Sequence, residues 1–187
     1  MARVYTKKTS RVEHICGRTG HVIPKGEGYY AAAPGFRGRE IFRCFAHPFR
    51  QSELTNSLRS QPLAALETLE DSIPNLEEGD YDGLTGLLEE FASEVRDYAE
   101  QRQDALDQWE NGTSQLEELA ETANSAADDA EDIQNNVNPF EDEEPQESDF
   151  EDDEEFESEC SDWEQARDEA WETATSDALD AAQSIEF

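Results

Sequence analysis

Two of the three cysteines and all three histidines of this chain fall in one stretch, Arg11 to Leu58, RVEHICGRTGHVIPKGEGYYAAAPGFRGREIFRCFAHPFRQSELTNSL. A segment of this size with few large aliphatic residues sits below the range in which a hydrophobic core alone holds a fold. A staple is therefore expected, and thiols and imidazoles are the donors that structural zinc takes. Cys44-x-x-His47 has the spacing of a ligand pair held by one short turn. Cys16 opens a second tight turn, Cys16-Gly17-Arg18-Thr19-Gly20, whose glycines can take positive φ and let backbone amides point at a thiolate. The fourth ligand has two candidates. In a strand, His14 and Cys16 share a face, so both can point at one ion. His21 lies past the glycine turn, which can fold it back. His14 is the preferred candidate and His21 the alternative. Two outcomes compete with zinc: metal-free packing, with Cys16 and Cys44 as small buried hydrophobes, and a Cys16–Cys44 disulfide.

A turn with C-G, then I-P-K-G-E-x-Y-Y, then R-C-x-x-H-P-x-R-x-S-E-L-T: in this order the residues resemble a family of small tailed-phage proteins with a zinc-ribbon or treble-clef head. That family continues into a long acidic helical region, as this chain does. The resemblance covers about residues 11–58 and implies a fold and a zinc ion, without an activity. In the family pattern the first half of the site reads C-x-x-C. Here those positions are Cys16 and Thr19, so one thiolate is absent.

Charge divides the chain sharply. Residues 1–60 contain eleven Lys/Arg and four Asp/Glu, a net +7, whereas residues 61–187 contain three and forty-three, a net −40, giving −33 in all. A basic head with an acidic body is implied. The acidic part repels nucleic acid and anionic membrane and attracts basic proteins. Phosphate contact is open to the head alone, through Arg3, Lys7, Lys8 and Arg11. No signal peptide, and no apolar run near the roughly 20 residues needed to span a bilayer, is visible. A soluble protein of a reducing cytoplasm is expected, the host's if the chain is phage-encoded. The abundance of acid also fits a high-salt habitat.

Within the head, Val4-Tyr5-Thr6, Val22–Pro24, Tyr29–Ala33 and Arg39–Arg43 read as short extended pieces, Tyr29–Ala33 being the second strand of a hairpin. Tyr29, Tyr30, Phe36, Phe42, Phe45 and Phe49 are candidates for a small core. Ser60 as N-cap, Pro62, and Leu63, Leu66, Leu69 and Ile73 mark a helix that Pro74 ends. Leu84, Leu88, Phe91, Val95, Tyr98, Ala105 and Trp109, then Leu116 through Val137, form a coiled-coil-like stripe. Asn111-Gly112 interrupts it and the capping box Ser114-x-x-Glu117 restarts it, so two helices in an antiparallel hairpin are favoured over one rod. Residues 141–159 hold thirteen Asp/Glu in nineteen positions, too polar to order themselves. Ser161-x-x-Glu164 opens a last amphipathic helix with Trp163 and Trp171 on it.

The expected class is α+β: a zinc-ribbon or treble-clef-like head over 1–58, a helical region over 59–138, a disordered acidic linker over 139–160 and a C-terminal helix over 161–187. No H-E-x-x-H, G-x-S-x-G, Walker or dinucleotide pattern is present, so no catalytic residue is named. The first expectation is a non-enzymatic adaptor whose zinc-stabilised head accompanies an anionic body that contacts a protein partner. The alternatives are a nucleic-acid-binding protein with an autoinhibitory acidic tail, and an acidic DNA mimic that occupies a basic host protein. No membrane contact is expected, and the sequence leaves the oligomeric state open.

Overall fold

The computed structural model describes residues 2–34, 39–55, 57–109, 113–146, 150 and 152–187, with the backbone alone for Asp153. The expected Pro34-Gly35 turn (at Gly35), Phe36, and the Asn111-Gly112 break lie outside the described residues. The fold is α+β, with small antiparallel sheets and four α-helices among the described residues. It divides into two compact units, residues 1–67 and 68–187.

Among the described residues, the first unit holds all five strands: β1 (Tyr5–Lys7), β2 (His14–Ile15), β3 (Val22–Ile23), β4 (Tyr29–Ala32) and β5 (Ile41–Cys44). β1, β4 and β5 form an antiparallel sheet in that order, and β2 pairs with β3 as a separate hairpin. The partner of β4 thus differs from the sequence expectation: β4 lies between β1 and β5, with Tyr30 opposite both Thr6 and Arg43. Val22-Ile23 instead closes a two-residue ladder with His14-Ile15. The Lys25–Gly28 turn separates the two sheets, with Gly26 at φ 99°.

Cys16, Ile23 and Cys44 form the buried centre, against which Tyr29 and Phe42 pack. The aromatic core expected from sequence is only partly realised. Phe45 stacks edge-on against Tyr30 yet stays 48% exposed, and Phe49 lies under the Arg43 guanidinium. Among the described residues the head fully buries few large side chains, which matches the size argument for a staple. After the sheet, a short 3-10 turn spans Ser52–Leu54, and α1 (Ser60–Ser72) begins in this unit. Its Glu67 accepts hydrogen bonds from the Ser52 amide and hydroxyl.

The second unit is helical. α1 gives way to a 3-10 turn at Ile73–Asn75, as Pro74 requires. α2 (Tyr81–Asp107) is capped by Asp80, whose carboxylate accepts from the Gly83 amide at 2.8 Å. α3 (Ser114–Asn135) follows, with Thr113 rather than Ser114 at the N-cap. Arg96 of α2 reaches Asp128 and Glu131 of α3. The connection at 108–113 reaches about 20 Å, too little to run back along a helix of roughly 33 Å, so the pair is antiparallel. Leu84, Leu88, Phe91, Val95 and Tyr98 are fully buried or nearly so, and α3 meets them with Ala120, Ala123, Ala126, Ala127 and Ala130. Large side chains on one helix fill the space that alanines leave on the other. Replacing Leu88, which is 0% exposed, by alanine is expected to destabilise this unit by about 2–5 kcal/mol, read as a lowered urea midpoint in far-UV circular dichroism. Trp109 leaves the stripe: it lies past the end of α2 and is 66% exposed.

α4 (Asp153–Ser184) begins inside the run expected to be disordered, well before the capping box at Ser161. Asp152 caps it by accepting from the Glu154 amide, and carboxylates such as Glu154 and Glu155 are favourable in a first turn because they face the positive end of the helix dipole. Residues 137–146 before it have no regular secondary structure. α4 buries Trp171, Ala178 and Ala182, with the Trp171 ring edge-on to Tyr81 at 5.2 Å. No described helix is long and apolar enough to cross a membrane.

Candidate metal centre

Two turns of the first unit face each other. The first joins β2 to β3. The Cys16 amide donates to the His21 carbonyl at 2.9 Å, and the Gly20 amide donates to the Cys16 carbonyl at 2.8 Å. Gly20 sits at φ 73°, a conformation that costs a residue with a Cβ free energy. That residue reverses the chain and sets His21 directly across from Cys16. The second turn follows β5, where the His47 amide donates to the Cys44 carbonyl at 3.0 Å. The first turn is tied to β5 by the Gly17 amide, which donates to the Phe42 carbonyl.

The result is a group of four donors, Cys16, His21, Cys44 and His47, whose ligand atoms all lie within 4.8 Å of one another. Zinc bonds of about 2.1 Å to nitrogen and 2.3 Å to sulfur set tetrahedral ligand–ligand edges of roughly 3.3–3.8 Å. The group is therefore close enough to hold a metal ion and compatible with zinc, and two thiolates on a dication leave the centre neutral. Cys16 is 0% exposed and Cys44 9%; neither is in a disulfide.

His21, the alternative in the sequence reading, is the histidine that joins this group. His14, the preferred candidate, does not. Its ring lies 4.0 Å from the Phe42 ring and 4.5 Å from Tyr29, centroid to centroid. The physical reason is that β2 ends at Ile15. The alternation that puts i and i+2 on one face holds only within a strand, and Cys16 already belongs to the turn. Arg3, Lys7, Lys8 and Arg11 are exposed on and around β1 and take no part in the cluster.

Thr19, at the position of the absent thiol, has a place beside the site. Its hydroxyl lies 2.6 Å from His21 Nδ1 and also donates toward Cys16. Pairing with Nδ1 orients the His21 ring and leaves Nε2 as the nitrogen open to a metal. Across the site, Cys44 Sγ and His47 Nδ1 lie 3.0 Å apart. Burial alone pushes the Cys16 thiol up. Hydrogen bonds from the Cys44 backbone, the Thr19 hydroxyl, and the Thr19 and Arg18 amides outweigh it and bring the thiol from 9.0 down to about 6. Cys16 is therefore a thiolate at neutral pH. Its contribution to stability without metal is full above pH 9, declines from there, and is lost below about 6. Zinc competition titrations are expected to show affinity falling as pH drops from 8 to 5, because every ligand binds the ion deprotonated, and Thr19→Val is expected to weaken binding further.

Arg43 packs beside the first turn at Gly17 and was given no role from sequence. It is 6% exposed, donates to Glu53 at 2.8 Å, and stands over the Phe49 ring at 5.2 Å. Glu53 is held below the usual carboxylate range: its burial is outweighed by the hydrogen bonds from Arg43 and the Arg50 amide. A Cβ at Gly17 would fall 2.2 Å from Arg43 Nη1, so that glycine makes room for the guanidinium. Comparison with known proteins finds no matching family model, no similar curated protein and no similar solved structure.

Proposed function

We propose that this chain is a non-enzymatic binding protein in which one structural Zn2+, held by Cys16, His21, Cys44 and His47, staples a zinc-ribbon or treble-clef-like head, and in which an anionic helical unit engages a basic protein partner. The convergence of the four donor groups carries the first half of this reading. Four protein donors fill a tetrahedral ion and leave no position for a substrate, which is the arrangement of structural rather than catalytic zinc. The second half rests on charge: the region after residue 60 carries a net −40, a field that favours basic partners and disfavours nucleic acid. The resemblance to the small tailed-phage family belongs to the same reading, with a reducing host cytoplasm as the setting that keeps both cysteines as thiolates. Metal analysis of the purified chain is expected to give one zinc per molecule, and a pulldown is expected to recover basic proteins in a salt-sensitive manner. A zinc-free head that stays folded in chelator overturns the first half.

The exposed Arg3, Lys7, Lys8 and Arg11 around β1 support a second reading, in which the head contacts nucleic-acid phosphate and the acidic residues compete for it. Salt-dependent DNA binding that strengthens on deletion of residues 141–187 distinguishes it.

A further inference from the structure

Within the helical unit, the end of α3 and the middle of α4 leave an open groove of about 700 Å3 between them. Its floor is made of small and aliphatic side chains: Ile133 and Val137 from the α3 side, and Ala170, Ala174 and Ala181 from α4. Asp132, Glu169 and Asp177 line it as well, and Glu169 and Asp177 are exposed. A second source of negative potential lies at the same place. α3 ends here with no basic residue in its last turn, so no side-chain cation of its own offsets the negative end of its dipole; the Asn136 side-chain amide donates there, to the Asp132 carbonyl.

We infer that this groove is the docking site for a basic amphipathic helix of a partner protein, its apolar face on the alanine floor and its Lys or Arg side chains on the acidic lips. The inference rests on the proposed adaptor reading and locates its contact. Charge complementarity selects the occupant. A second copy of this strongly acidic chain brings like charge to the lips, and nucleic acid brings phosphate. The alanines let a helix backbone approach closely. Anchors at i, i+3, i+4 and i+7 are the pattern such a groove reads.

The test uses the full zinc-loaded chain and two fluorescent synthetic peptides of identical Leu and Lys composition. One has leucines at helical anchor spacing and the other is scrambled. Anisotropy titrations are expected to show at least tenfold tighter binding of the patterned peptide. Ala170→Arg, which fills and recharges the floor, is expected to abolish that preference, and Asp177→Asn to weaken it severalfold. Circular dichroism confirms that both variants keep their helices, and the exposed Asp177→Asn provides the readout should Ala170→Arg lose them. Equal binding of both peptides, unchanged by either variant, overturns the groove and leaves a diffuse anionic surface in its place. Failure of both peptides to bind at low salt overturns the adaptor reading itself.

Discussion

Removal of zinc by a chelator, or replacement of Cys44 by alanine, is expected to unfold residues 1–67 while the helical unit keeps its circular dichroism. Structural zinc contributes an apparent 10–16 kcal/mol or so in zinc-finger peptides at neutral pH, which exceeds what a head of this size retains from its core. Among the described residues, the buried cluster at the site is Cys16, Ile23 and Cys44, with Tyr29 and Phe42 against it. Loss of one of four ligands thus removes more than the fold has in reserve. Amide proton NMR reads this directly, as collapse of the dispersed head resonances with the helical set unmoved. The histidines sharpen the test. His21→Ala is expected to behave like Cys44→Ala. His14→Ala removes only stacking on Tyr29 and Phe42 and is expected to keep one zinc per chain. Metal-free packing would instead make Cys44→Ala cost only about 1–3 kcal/mol.

Arg43→Ala is expected to destabilise the head by about 1–3 kcal/mol, because it takes from the partly buried Glu53 carboxylate its shortest ion pair and leaves it the Arg50 amide and Arg18. It also opens the space that Gly17 leaves for the guanidinium. Arg43→Lys is not expected to rescue it fully, since one ammonium cannot reproduce a planar fork that reaches Glu53, the Phe42 carbonyl and the Phe49 ring together. Urea unfolding at saturating zinc measures the loss. Zinc stoichiometry separates the two mechanisms: Arg43→Ala is expected to retain the ion in the native state, whereas the ligand variants do not.

The sequence made the Cys44-x-x-His47 pair legible because both residues sit on one short turn, where spacing and geometry are nearly the same thing. Cys16 was legible for the same reason. The choice between His14 and His21 was not. It depended on where β2 stops, and the alternation of side chains gives no sign of a strand only two residues long. The usable signal was Gly20 immediately before His21, since a positive φ at that position is what reverses the chain. The helical hairpin could be read from the steps of four and three between Leu84 and Tyr98. The start of α4 could not, because the same carboxylates that argue for disorder when counted also favour a helix when they fall at its N-terminus. Arg43 was hidden by its type: nothing local distinguishes a buried arginine from a solvated one until Glu53 and Phe49 are placed beside it.

All four donor residues lie within the first forty-seven positions, and the stapled head needs nothing from α2, α3 or α4 to complete its ligand set. During synthesis the remaining chain takes on the order of ten seconds to emerge. The ion can therefore be captured while the acidic portion is still on the ribosome. The positively charged head thus meets its ion before most of the carboxylate-rich companion has emerged.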